Sequence, residues 1–201
     1  MKKDIEIEFM WHLESAMIPY PIALVTTVDT QGRVNAAPFG LLLPYCSDPA
    51  KPQMLLCASS MWNTTKNIES TGEFVVNHAS YGLIQLVAQA GQPYDAGVNE
   101  LEKAGLTAMP ALSVTPPRIA ECFQHIECRL NKIDRPTEMQ TNFIADVLAL
   151  SMDEALVGKT RTQMLTAADP LMLYGINIVS NEGNYTCVGE TRAFAPPDDA
   201  D

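Results

Sequence analysis

Residues 22–39 constrain this 201-residue chain more than any other stretch. Ile22 to Val28 is rich in β-branched residues, Asp29-Thr30-Gln31-Gly32 is a tight-turn sequence, and Arg33 to Phe39 leads back. Gly32 tolerates a positive φ, so the two runs are expected to pair as an antiparallel hairpin. The theme recurs. Met54 to Ala58 and Phe74 to Asn77 read as short strands, and longer β-rich stretches cover Ile119–Ile133, Asn142–Met152 and Tyr185–Phe194. Helices are short inserts. Thr64 to Ser70 follows an expected cap at Asn63 and stops at Gly72. Ser80 to Ala90 puts Leu83, Ile84, Leu86, Val87 and Ala90 on one helical face, and Asn99 to Ala104 ends at Gly105. Strands with unpaired edges are best closed on themselves, so the expected fold class is mainly β, a barrel with short helical insertions. No repeat or linker divides the chain. One domain over 1–201 is predicted, with 1–18 as a partly helical N-terminal extension and 195–201 as a disordered tail.

Composition narrows the partners. The formal net charge is −11, which disfavours nonspecific nucleic-acid binding and attachment to an anionic membrane, since both need a basic footprint. No run approaches the roughly 18 apolar residues of a membrane helix. The start has two lysines, but acidic residues follow where a signal peptide would turn apolar. Five sparse cysteines, an odd number, read as reduced thiols in a cytoplasmic protein.

The glycines exclude several chemistries. The closest pairs, Gly91/Gly97 and Gly183/Gly189, stand too far apart for G-x-G, G-x-S-x-G or a phosphate-binding P-loop. His12, His78 and His125 are too scattered for a zinc-binding helix. Cys122, His125 and Cys128 lie close in sequence. On a strand, however, His125 faces away from both cysteines, and the cysteines read as small hydrophobes. No metal site is expected.

The stretch from Met54 to Gly72 carries more chemical information. A strand ends at Ser59-Ser60, a loop Met61-Trp62-Asn63 follows, and a helix opens at Thr64-Thr65-Lys66. A helix N-terminus offers free N–H groups and a positive dipole end, and Ser59, Ser60, Thr64, Thr65 and Lys66 add donors suited to a phosphate monoester. An ordinary capped helix with surface hydroxyls fits the same pattern. Asn35-Ala36-Ala37-Pro38-Phe39-Gly40 is a strand with small side chains, where a flat ring could approach the backbone; a plain surface edge is the alternative.

Three segments in order carry a resemblance. They are Asp29-x-x-Gly32-x-x-Asn35-Ala36-Ala37-Pro38-Phe39, then Ser47-Asp48-Pro49, then Asn63-Thr64-x-x-Asn67-Ile68-x-x-Thr71-Gly72-Glu73-Phe74-Val75-Val76-Asn77. With Asn99 to Thr107, Pro116 to Ile119, Ile126 to Cys128 and Tyr185-x-x-Val188-Gly189-Glu190, the chain resembles the flavin reductase-like, FMN-binding split-barrel family over about residues 19–194. The resemblance implies a Greek-key split barrel, a homodimer, bound FMN, and NADH or NADPH as co-substrate, often with a partner monooxygenase. It further implies that Asn35 to Gly40 line the flavin ring and that Ser59, Ser60 and Thr64 hold the phosphate. Trp62 would stack on a ring or fill the loop core. His78, after a strand end, would border a substrate groove or be an ordinary satisfied histidine. No catalytic side chain is expected, because the flavin carries the chemistry. Trp62-Asn63-Thr64 stands where the family commonly has Lys-Asp-Thr, with Lys66 one turn further on. No arginine stands near Leu173-Tyr174, and Phe39-Gly40 replaces a Tyr/Phe-Ser pair. Three readings are open: an FMN-dependent oxidoreductase, an FMN-binding carrier or electron-transfer protein without nicotinamide turnover, and a barrel that has lost flavin and serves as a binding module.

Overall fold

The computed structural model describes residues 2, 4–7, 11–94, 97–177 and 182–190. In chain order the elements are α1 (Trp11–Glu14), β1 (Tyr20–Pro21), β2 (Ala23–Val28), β3 (Val34–Phe39), β4 (Leu42–Cys46) and β5 (Gln53–Ser59). Next come α2 (Asn63–Thr71), β6 (Glu73–His78), α3 (Ile84–Ala90), α4 (Glu100–Lys103), β7 (Ala108–Met109) and β8 (Arg118–Ile119). β9 (Gln124–Asp134), β10 (Gln140–Met152), α5 (Arg161–Ala168), β11 (Met172–Asn177) and β12 (Glu182–Thr186) complete the series.

Seven strands form one antiparallel sheet in the order β3-β2-β6-β9-β10-β5-β4. Its two edges, β3 and β4, are neighbours in sequence, joined only by Gly40 and Leu41. A flat sheet would hold these edges roughly 29 Å apart, at about 4.8 Å per strand. The link reaches only about 10 Å. The sheet must therefore curl, and it does so around one core to which every strand contributes: Val25, Phe39, Leu42, Leu56, Phe74, Cys128 and Phe143. Ile68 of α2 is fully buried in the same core, so this helix plugs the curl. The molecule is a mainly β barrel with short helices, as the strand pattern implies, and a split one, as the resemblance implies.

A second core lies on the outer face of β2 and β3. Leu24 and Ala36 meet Val87 and Ala90 of α3, Leu101 and Ala104 of α4, and Leu171 and Leu173. β1, β11 and β12 form a small sheet of their own. α1 lies against β11, and the Tyr20 hydroxyl donates to the His12 carbonyl at 3.3 Å.

Several expectations shift. Asn63 is not the cap of α2 but its first helical residue; Trp62 holds the cap position and gives no side-chain bond. The stop at Gly72 is as expected, with φ +74. Ser80 to Ala90 divides into a 3-10 turn, Tyr81–Leu83, followed by α3. The stretch from Ile119 is not one strand. It breaks over 120–123 between β8 and β9, which places Cys122 in the outer core and Cys128 in the barrel core. All five cysteines are free thiols. Both ring nitrogens of His125 are engaged, by the Ile119 carbonyl at 2.8 Å and Ser151 Oγ at 3.2 Å. β4, α5 and β11 carry no sequence expectation; β4 contains Pro44, which an edge strand tolerates. The Tyr185–Phe194 expectation shrinks to the end of β12, with residues 187–190 outside any strand. Residues 191–194 and the 195–201 tail lie outside the described residues. Among the described residues, no helix is long and apolar enough to cross a membrane.

Candidate functional site

Because side chains alternate along a strand, residues 33, 35, 37 and 39 of the second hairpin arm share one face. That face borders a cleft of about 510 Å³, between β3, the loop leading into α2, and the turn after α3. Asn35, Ala37, Pro38 and Phe39 form one wall, and Met61, Trp62, Asn63 and Thr64 another. Gly91 lets the turn after α3 come close, since a Cβ there would stand 3.0 Å from Pro38 Cγ. The Trp62 ring meets Phe39 edge-on at 5.4 Å and is half exposed, so an aromatic shelf stands at the mouth.

The cleft is graded in polarity. Beyond its apolar end lie Asn35, Asn63 and Thr64. Asn35 and Asn63 also line an adjoining pocket of about 260 Å³ that holds Arg33 and Lys66. Arg33 pairs with Asp29 at 2.6 Å, and its guanidinium lies against Gly97, where a Cβ would sit 2.5 Å from Nη1. The first-turn N–H groups of α2 have no side-chain cap.

Not every residue singled out in the sequence reaches this cleft. Ala36 points into the outer core, though its N–H donates to Glu100 Oε2 at 3.1 Å. Gly40 packs on Tyr20. The Thr65 hydroxyl donates to the Ser59 carbonyl at 2.7 Å, and Ser60 Oγ bonds Thr141 Oγ1 at 3.0 Å, so both are committed internally. Ser59 Oγ accepts from the Met61 N–H at 3.4 Å. Lys66 lines the adjoining pocket only. His78 lines a different, largely apolar pocket with Phe123, Met152 and Leu156, and its ring stacks on Phe123 at 6.2 Å. Burial, with the nearby His125, pushes its pKa down to about 4.

Sequence patterning does not single out Arg33 or Glu100. Arg33 is legible in hindsight from its place two residues before Asn35, just ahead of β3. Glu100 carries no such signal, because only tertiary packing brings α4 to β3. It is 7% exposed, and burial pushes its pKa up to about 7 against the pull of the Ala36 N–H. The Asn35 amide can lie between Glu100 and Thr64 in two orientations, of which only the second satisfies all its neighbours while Glu100 is a carboxylate; the first turns Oδ1 to Glu100 and Nδ2 to the Ala36 N–H. In the first, Nδ2 donates to Thr64 Oγ1 at 3.1 Å. Turned by half a rotation, Nδ2 donates to Glu100 Oε2 at 3.2 Å, while Oδ1 accepts from Thr64 Oγ1 at 3.1 Å and from the Ala36 N–H at 3.2 Å.

Comparison with known proteins agrees with the fold. A protein of Aquifex aeolicus is 31% identical over 146 residues, covering 70% of this chain and 73% of that one. Among solved structures, flavoredoxin of Desulfovibrio vulgaris (Miyazaki F) superposes with a TM-score of 0.77 at 25% identity, covering 98% of this chain and 99% of the other. Nitrilotriacetate monooxygenase component B from Bacillus cereus gives a TM-score of 0.81 at 21% identity, over 96% of this chain and all of that one (100%). The family profile of the flavin reductase like domain matches residues 15–182, and the chain belongs to that family.

Proposed function

We propose that the protein is an FMN-dependent oxidoreductase, an NAD(P)H:flavin reductase in which NADH or NADPH delivers hydride to bound flavin. The observation that carries this reading is the polarity gradient from the cleft to the pocket adjoining it: apolar and aromatic at one end of the cleft, amide and hydroxyl at the other, with Arg33, Lys66 and Asp29 in the pocket beyond. A planar ring system with a phosphorylated polar tail fits that order. Pro38, Phe39 and Trp62 would flank the ring, with Ala37 leaving room for its edge. Asn35 and Asn63 would hold the tail, and Thr64, the α2 N–H groups, Arg33 and Lys66 would face the phosphate. Bound there, flavin supplies the hydride acceptor, while these side chains orient it and exclude water from its buried face.

The proposal extends to a homodimer that covers the exposed Met61 and Trp62, and to a cytoplasmic setting. The likeness to a monooxygenase component B supports a partner oxygenase that uses the reduced flavin. One observation favours the second reading, a flavin carrier or electron-transfer protein. Among the described residues lining the cleft, only Glu100 is charged, so a dinucleotide entering the mouth meets no cation there.

Two measurements test the assignment. Thr64→Ala is expected to weaken FMN binding tenfold or more, since a bond to a charged group contributes about 1.5–3 kcal/mol, and to leave riboflavin binding unchanged. Equal losses for both ligands remove the phosphate from Thr64. Anaerobic NADH or NADPH is expected to bleach the bound flavin; a spectrum that neither bleaches leaves the carrier reading.

A further inference from the structure

Glu100, Asn35 and Thr64 form a chain of polar groups running from the outer core to the cleft. Asn35 and Thr64 are buried, and each amide orientation leaves the Thr64 hydroxyl in a different state. A Glu100 carboxylate can only accept, so Asn35 must turn Nδ2 towards it. Asn35 Oδ1 then accepts the Thr64 hydroxyl hydrogen, and Thr64 offers only lone pairs to the cleft. A protonated Glu100 donates its O–H to Asn35 Oδ1 instead. Nδ2 then donates to Thr64 Oγ1 and stands beside the Ala36 N–H, whose hydrogen stays on Glu100 Oε2, and the hydroxyl hydrogen of Thr64 is free to point into the cleft.

We propose that these three residues form a hydrogen-bond relay through which an anionic group at Thr64 is bound together with one proton taken up from solvent by Glu100. Glu100 is a positioning residue: it never touches the ligand but sets whether Thr64 can donate. The proposal rests on the reading that places a flavin phosphate beside Thr64. The balance is simple. The proton comes from the buffer, stays on Glu100 while the anion is bound, and returns to the buffer on release.

The surroundings leave Glu100 free to titrate. From β3 it meets the neutral Asn35 and the Ala36 N–H, while Arg33 is turned to Asp29. α3 contributes the apolar Val87 and Ala90, and α2 the neutral Asn63 and Thr64, with Lys66 in the adjoining pocket. On α4 itself, Glu102 and Lys103 are exposed. Free protein therefore gives up the Glu100 proton above about pH 7, and the anion-bound form keeps it to higher pH. Affinity for a phosphorylated flavin is full below that value and is lost as pH rises.

Calorimetric titration of the full-length protein with FMN at pH 8, in two phosphate-free buffers of different ionisation enthalpy, counts the protons. Wild type is expected to take up close to one proton with FMN and none with riboflavin, and its FMN affinity to fall by up to about tenfold per pH unit above pH 7. Glu100→Gln is expected to take up none and to bind with little pH dependence, because its amide donates permanently to Asn35 Oδ1. FMN binding without proton uptake in wild type, or uptake retained in Glu100→Gln, overturns the relay and leaves the flavin reading intact. No FMN binding at any pH overturns both. Should Glu100→Gln not fold, carboxyl-carbon NMR of wild type decides the same point: the Glu100 midpoint must rise on adding FMN, and an unmoved midpoint overturns the relay.

Discussion

Two buried glutamates, Glu127 on β9 and Glu100 on α4, show how differently one fold can treat the same side chain. Glu127 is completely buried and amply partnered. It accepts from the N–H of Leu112 at 2.9 Å, the N–H of Ser113 at 2.6 Å and Arg118 Nε at 2.7 Å. Burial pushes its carboxyl up, but these N–H groups and the Arg118 guanidinium more than reverse that, and it stays below the usual carboxylate range. Glu100, almost as buried, accepts the Ala36 N–H and, with the amide turned, Asn35 Nδ2, and has no cation against it among the described residues; burial prevails and its pKa rises to about 7. Burial raises both carboxyls, and the supply of donors and cations decides whether that rise stands. Glu127 serves architecture by pinning the 112–118 segment across β9, whereas Glu100 stands at the cleft with its proton in play.

The largest expected effect breaks the architectural member. Glu127→Gln leaves Arg118 buried without its counter-charge and is expected to destabilise by about 3–5 kcal/mol, read as a lower urea midpoint. A loss under about 1 kcal/mol would show that water reaches Arg118. An intermediate effect separates the two by pH. A raised folded pKa at Glu100 means that the folded state holds a proton the unfolded chain releases from its ordinary value of 4.5 upward. Its contribution to stability therefore falls as pH rises from about 4.5 to about 7, by up to about 1.4 kcal/mol per unit, and stays low above that. Glu127, with its pKa lowered, contributes stability above its unfolded value that is lost as pH falls through the folded one. In denaturation across pH, Glu100→Gln is expected to remove the loss near neutrality and to exceed wild type in stability at pH 8. The smallest effect is a control. Gly91→Ala puts a Cβ 3.0 Å from Pro38 Cγ and is expected to cost about 1 kcal/mol, with the Glu100 titration unmoved. A shifted Glu100 midpoint in that variant would mean that the cleft wall, not the donor count, sets it.

The sequence made the local events legible where their causes are local. Asp29 Oδ1 accepts from the N–H groups of Gln31 and Arg33 at 2.8 and 2.9 Å, so the hairpin turn stabilises itself. Gly72 ends α2 through its own left-handed conformation. Of the binding residues read from sequence, Asn35, Ala37, Pro38, Phe39, Trp62, Asn63 and Thr64 line the cleft, whereas Ala36, Gly40, Thr65 and Lys66 do not. Ser60 and Thr65 look like free donors in sequence, but their hydroxyls bond Thr141 Oγ1 and the Ser59 carbonyl. His78 sits at a strand end as read, yet faces a pocket with no lining residue in common with the cleft.

Sequence by itself therefore determined the antiparallel hairpin, the short helix that stops at Gly72 and the family, since each rests on turn chemistry, capping or a motif within a few dozen residues. Tertiary structure alone decided that Glu100 meets Ala36 and Asn35, and that Arg33 and Lys66 share a pocket. Such meetings depend on how packed faces come to rest across the chain, 64 residues apart for Ala36 and Glu100. Burial and donor supply, which set a group's charge, exist only once those faces have met.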